Sequence, residues 1–165
     1  MSNSAKLKQA QADYDEAVAA KVDAERTLNS HYGRVVIAKE RLDQAKREAS
    51  ADIPVDRSQR TLADGSPVTA DHRELKPNGQ QKDYVVLSAA ERAKGFVRPF
   101  RDAYRHQKCG AITTMSRSIA ETYARDPGFY SGTFCSTCRS HFPVGEEGEF
   151  TWYEMDGTEG PKVGT

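Results

Sequence analysis

The sequence predicts an α+β fold: a small C-terminal module of short strands and helices, carrying a long N-terminal helical extension. Three observations predict it. Residues 4–50 hold no proline and are rich in Ala, Lys, Glu, Gln, Arg and Leu, all good helix formers. Residues 84–165 instead hold short apolar runs broken by turn residues. Within that second part, His106-x2-Cys109 and Cys135-x2-Cys138 form two paired half-sites about 25 residues apart. Two residues between ligands is the spacing at which a tight backbone knuckle aims both side chains at one ion.

In the helical segment, apolar residues fall at Leu7, Ala10, Tyr14, Val18, Val22, Leu28, Tyr32, Val36, Leu42, Ala45 and Ala49. This stripe advances at close to a heptad period, with Glu25 and Lys39 interrupting it. Asn29, Ser30 and Gly33 cluster midway and suit a turn between two helices. The phase survives the cluster, which favours one coiled-coil-like helix over a hairpin. The stripe is narrow, so the helix needs a partner: a second copy, another protein, or its own second half. A surface helix packed on the chain's own core is the plainer reading.

Residues 51–82 read as a linker. Pro54, Asp64-Gly65-Ser66-Pro67 and Pro77-Asn78-Gly79 are turn signals among few large apolar residues. The domain plan is therefore a helical segment at 1–50, a linker at 51–82 and a module at 83–165.

Tyr84-Val85-Val86-Leu87 is a strand candidate. Ser88 caps a brief helix, with Glu91 at the capping-box position and Gly95 at its end. Between Phe96 and Lys108, the aromatics Phe96, Phe100 and Tyr104 interleave with Arg98, Arg101, Arg105 and Lys108. Such a mixture suits contact with single-stranded nucleic acid. It equally suits a strand with one packed and one solvated face. Thr114 is placed to cap a helix running through Arg125, with Met115, Ile119, Thr122 and Tyr123 on one face. Phe150-Thr151-Trp152-Tyr153 reads as a strand, with Trp152 in the core, and Asp156-Gly157 as a turn.

The half-sites carry the chemistry. His106, Cys109, Cys135 and Cys138 make a Cys3His set, a common closed ligand set for zinc. All three cysteines are used. His141, three residues past Cys138, is an alternative fourth ligand. His106 is favoured because H-x2-C-G reads as a second knuckle, with Gly110 free to take a positive φ. The module is then of zinc-ribbon or treble-clef type, and its zinc structural, since a small domain buries little apolar area. The zinc deaminase signature is absent: Gln107-Lys108 follows His106, and Thr133-Phe134 precedes Cys135. Nothing else forms a catalytic constellation, and the expectation is a non-enzyme.

Composition narrows the partners. With 37% hydrophobic and 29% charged residues, the chain is too hydrophilic for all of it to lie in one core. The formal net charge is zero, so no global field draws it to nucleic acid or membrane. The charges are segregated: residues 82–141 hold ten Lys/Arg and five Asp/Glu, whereas residues 142–165 hold one Lys and six acids. No apolar run is long enough to span a bilayer, no signal peptide is evident, and reduced cysteines at metal spacing fit a reducing cytoplasm.

Several stretches resemble small zinc-site proteins encoded by tailed bacteriophages. They are Tyr84-Val85-Val86-Leu87-Ser88, Glu91 to Pro99, Cys109-Gly110, Thr113-Thr114-Met115, Ala120 to Pro127, and Cys135-x2-Cys138-x2-His141. The resemblance covers about residues 84–165. It implies a phage origin and a metal site at the cysteines, with the host bacterial cytoplasm or the virion as location. The helical N-terminus is not shared, so it reads as a variable adaptor on a common module. The function expected is a non-enzymatic interaction or structural protein. It would bind a virion or host protein, or self-associate through residues 4–50. A nucleic-acid-binding regulator using Arg98, Arg101, Arg105 and Lys108 is the alternative.

Overall fold

The computed structural model describes residues 3–154 and 156–165, with side chains from residue 8 onward. The protein is α+β, and it divides into two compact units at Gln44/Ala45.

Helix α1 runs unbroken over Asn3–Ala51. The turn anticipated at Asn29, Ser30 and Gly33 does not form, which removes the hairpin. A lone glycine in a helix costs only about 1 kcal/mol relative to alanine, and good helix formers surround it. The side chain of Leu7, the first residue of the stripe, lies outside the described part. From Tyr14 to Leu42 the large stripe residues are exposed, between 37% for Val36 and 71% for Tyr32. No helix among the described residues is long and apolar enough to cross a membrane.

The second unit, residues 45–165, absorbs the segment read as a linker. Strand β1 (Arg60–Leu62) pairs antiparallel with β2 (Val85–Leu87), and Leu62 is buried. The turn signals were read correctly as turns, but they are tips and corners of a folded lobe. Ser66 N–H donates to Asp64 Oδ1 (2.8 Å), and Leu75 bridges Gln81 across the Asn78-Gly79 turn. Gly79 (φ +84°) packs so closely that a Cβ there would lie 2.0 Å from the Arg139 carbonyl oxygen. Any side chain would push this turn off the second cysteine knuckle.

The short helix α2 (Ala89–Arg92) is capped by Ser88, whose Oγ accepts from Glu91 N (3.2 Å). The reciprocal half of the capping box is missing. Ser88 N–H donates to Gln59 O instead, and the Glu91 carboxylate turns inward to Arg125. Strands β3 (Ala103–His106), β4 (Ile112–Thr114), β7 (Phe150–Tyr153) and β8 (Glu159–Lys162) form an antiparallel sheet in the order β4-β3-β7-β8. Helix α3 spans Arg117–Arg125, starting two residues later than expected: Ser116 is its N-cap and Thr114 belongs to β4. A 3-10 turn (Pro127–Phe129) leads to the hairpin of β5 (Gly132–Cys135) and β6 (Ser140–Pro143).

The core joins α3, the sheet and this hairpin through Tyr104, Tyr123, Cys135, Phe150, Trp152 and Val163. Alternation along β3 sends Tyr104 and His106 inward and leaves Ala103 and Arg105 half-exposed. Tyr104 and Tyr123 meet Trp152 edge-on, at 6.5 and 5.4 Å between ring centroids. These are favourable aromatic geometries. Trp152 is in the core, as its position in an apolar strand predicted.

Candidate metal centre

Each half-site sits at the tip of a hairpin. In the first, β3 ends at His106 and the chain reverses at once. Gly110 N–H donates to His106 O (2.8 Å), with Gly110 at φ +72°. That positive φ closes the turn cheaply only for glycine. In the second, β5 ends at Cys135. Arg139 N–H donates to Cys135 O (2.8 Å), and Cys138 N–H points to Cys135 Sγ (3.5 Å). Thr113 Oγ1 on β4 accepts from Ser136 N (3.2 Å), which ties one knuckle to the other hairpin.

The folded chain brings His106, Cys109, Cys135 and Cys138 together, with all four ligand atoms within 4.8 Å of one another. His106 Nδ1 is 3.2 Å from Cys109 Sγ and 3.5 Å from Cys138 Sγ, and Cys109 Sγ is 3.6 Å from Cys135 Sγ. A tetrahedral ion with metal–sulfur bonds of about 2.3 Å and metal–nitrogen bonds of about 2.0 Å has ligand edges of roughly 3.5–3.8 Å. These three separations lie close to those edges, and the others stay within 4.8 Å. The cluster does not fit a disulfide, whose sulfurs lie about 2.05 Å apart.

The Ala111 amide leads the groups that lower the Cys109 thiol to about 7. Burial, followed by the neighbouring sulfurs, raises Cys138 to about 12. Three thiolates this close repel one another unless a cation lies between them.

The imidazole is held by aromatic packing and by a carboxylate. Its ring packs against both Phe142 and Phe150, at centroid distances of 4.6 and 4.8 Å. Its Nε2–H donates to Glu149 Oε2 (2.9 Å), and Lys108 Nζ holds the other carboxylate oxygen at 2.7 Å. Protonation at Nε2 leaves the Nδ1 lone pair for the metal, the usual carboxylate–histidine–metal arrangement. His106 and Lys108 hold the Glu149 carboxyl below its ordinary pKa. Sequence reasoning missed this role for Glu149, because it lies 43 residues from His106 and meets it only through the β3–β7 pairing. Glu149→Ala should weaken metal affinity about ten- to hundredfold. Competition against a chromophoric chelator measures this, and unchanged affinity would reduce Glu149 to a bystander.

His141, the alternative ligand, is not in the cluster. It faces Phe134 across the β5–β6 pair, and its Nε2 lies 3.1 Å from the Tyr84 hydroxyl. The basic-aromatic stretch is also answered from within. Arg101 pairs with Glu154 (2.7 Å) and Lys108 with Glu149, Arg105 lies 5.5 Å over the Tyr153 ring, and Arg98 donates to Thr165 O (3.2 Å). Tyr104 is buried and offers no stacking face. The acidic tail engages the basic segment through Glu149 and Glu154.

Fold and site define an α+β module with a compact His/Cys3 cluster of metal-binding form. No family model, curated protein or solved structure matches the chain.

Proposed function

We propose that this is a non-enzymatic interaction protein in which a structural zinc holds the C-terminal module and helix α1 engages a partner. The observation that carries it is the stripe of α1: Tyr14, Val18, Val22, Leu28, Tyr32, Val36 and Leu42 stand exposed at heptad-like spacing. Large apolar side chains in register on an exposed helix face suit a coiled coil, with a second copy of the chain or a protein of the virion or host cell.

Zinc is the metal that a mixed thiolate and imidazole tetrahedron favours. Four protein ligands saturate it and leave no open position of the kind a catalytic zinc keeps. The ribbon type suits the module better than the treble clef, because both knuckles are hairpin tips and no ligand stands on a helix. A phage origin, with the virion or host cytoplasm as location, rests on the resemblance over residues 84–165.

Deleting residues 1–44 tests the role of α1, since the compact second unit begins at Ala45. Light scattering should report an assembly for the full chain and a monomer for the truncated one. Both should show the same melting transition by tryptophan fluorescence. A full-length chain that stays monomeric at high micromolar concentration contradicts self-association.

A further inference from the structure

Opposite in character to the self-neutralised 98–108 stretch is a cleft of about 750 Å³ between the 57–85 lobe and the β5–β6 hairpin. Its size is that of a small-ligand site. Arg57, Arg60, Arg73, His72 and His141 line it, and no carboxylate does. In a chain with as many acids as Lys and Arg, three arginines around one cleft without an acid among its walls is a marked segregation. Among the described residues, Arg60 and Arg73 have no ion-pair partner, and both are exposed.

Arg57 is held in place. Its Nε and Nη2 donate to Asp126 at 2.7 and 2.9 Å, and the carboxylate is largely buried behind it. The bidentate pair orients the guanidinium and leaves Nη1 uncommitted.

The remaining wall is aromatic, with Tyr84, Phe129 and Tyr130. Their orientations are set: Tyr130 OH donates to Val85 O (2.9 Å), Tyr84 OH meets His141 Nε2, and Phe129 packs edge-on to Tyr130 at 4.8 Å. With the hydroxyls tied, the cleft offers ring surface and guanidinium donors. Those two chemistries match a planar base and its phosphate.

We infer that this cleft binds a nucleotide unit, its phosphate on Arg60, Arg73 and Arg57 and its base against Tyr84, Phe129 and Tyr130. The unit belongs either to a free nucleotide or to an unpaired nucleic-acid strand. Neither α1 nor the identity of the metal enters the inference.

The test uses the full-length protein and a fluorescein-labelled 12-mer of thymidylate, read by fluorescence anisotropy. Arg60→Ser with Arg73→Ser should weaken binding at least tenfold. It should also reduce the slope of log affinity against log salt by roughly 0.7, one neutralised phosphate on a single strand. Replacing Arg98, Arg101 and Arg105 with serine should leave the affinity unchanged. The single variant Arg73→Ser, in an exposed turn, provides the measurement if the double variant melts early. Displacement of the 12-mer by thymidine monophosphate identifies the free nucleotide as sufficient. Displacement only by unlabelled 12-mer identifies a strand. The inference is overturned by no binding at low salt, by binding indifferent to Arg60 and Arg73, or by inorganic phosphate displacing the probe as well as thymidine monophosphate does.

Discussion

Cys135→Ser should strip the metal from the protein and unfold residues 45–165. Cys135 is completely buried, its sulfur lies 3.6 Å from that of Cys109, and it accepts the Cys138 amide. Serine offers a hard, protonated oxygen where a soft thiolate is needed. Structural zinc contributes about 10–16 kcal/mol in zinc-finger peptides near neutral pH. Domains are typically stable by only about 5–15 kcal/mol, so losing most of that contribution exceeds the margin. Trp152 is the reporter: it is the only tryptophan, and it packs between Tyr104 and Tyr123. Its emission should shift to the red and its near-ultraviolet dichroism vanish, in Cys135→Ser and in chelator-treated wild type alike. His141→Ala should retain the metal, because that imidazole bonds Tyr84 and not the cluster. Native emission in metal-free Cys135→Ser would show that the hydrophobic core suffices alone.

Arg125→Ala should destabilise the second unit by about 3–5 kcal/mol, the range for breaking a buried ion pair. Arg125 is 0% exposed and Glu91 1%, and the pair meets at 3.3 Å. The guanidinium also donates to the carbonyls of Ser50, Ile53 and Pro54, at 3.2, 2.9 and 3.2 Å. It therefore fastens the end of α1 and the chain beyond it to α3. Replacing both partners with apolar residues should restore only part of the stability, because the Ser50, Ile53 and Pro54 carbonyls would still lose this donor. Arg125→Lys should recover only part of the loss, since an ammonium cannot span the same fork. Denaturant unfolding followed by Trp152 fluorescence measures each variant, and a loss under 1 kcal/mol for Arg125→Ala would contradict this role.

The same pair gives acid sensitivity. Burial opposes ionisation of Glu91, but hydrogen bonds from Lys94, the Asp56 amide and Arg125 outweigh it and lower its pKa. A carboxylate depressed in the folded state contributes stability above its unfolded pKa of about 4.3. That stability is lost as the pH falls through the lower, folded value.

The four residues of the candidate metal cluster were legible because knuckle spacing is local: each pair is set by its own turn. Glu149 was not, because only the pairing of His106 with Phe150 across β3 and β7 brings it to the imidazole. An acid directly before the predicted strand Phe150–Tyr153 was the available signal, but it does not name a partner. Residues 51–82 were misread for a different reason. Arg60-Thr61-Leu62 is too short to show alternation, and the turns around it resemble flexible composition. Strand β8 escaped notice because Glu159-Gly160-Pro161-Lys162 has poor strand propensity. It is tolerated as an edge strand, paired to β7 through an irregular register. Arg125 looked like an ordinary basic residue in the last turn of a helix. Only the fold shows that its face turns inward.

The most direct test of a structural zinc is the metal content of the wild-type protein purified without added metal, by inductively coupled plasma mass spectrometry, alongside its melting temperature. The expected result is one zinc per chain, removable only with loss of the Trp152 transition. A metal-free chain with a Cys135–Cys138 disulfide and an undiminished melting temperature would contradict it.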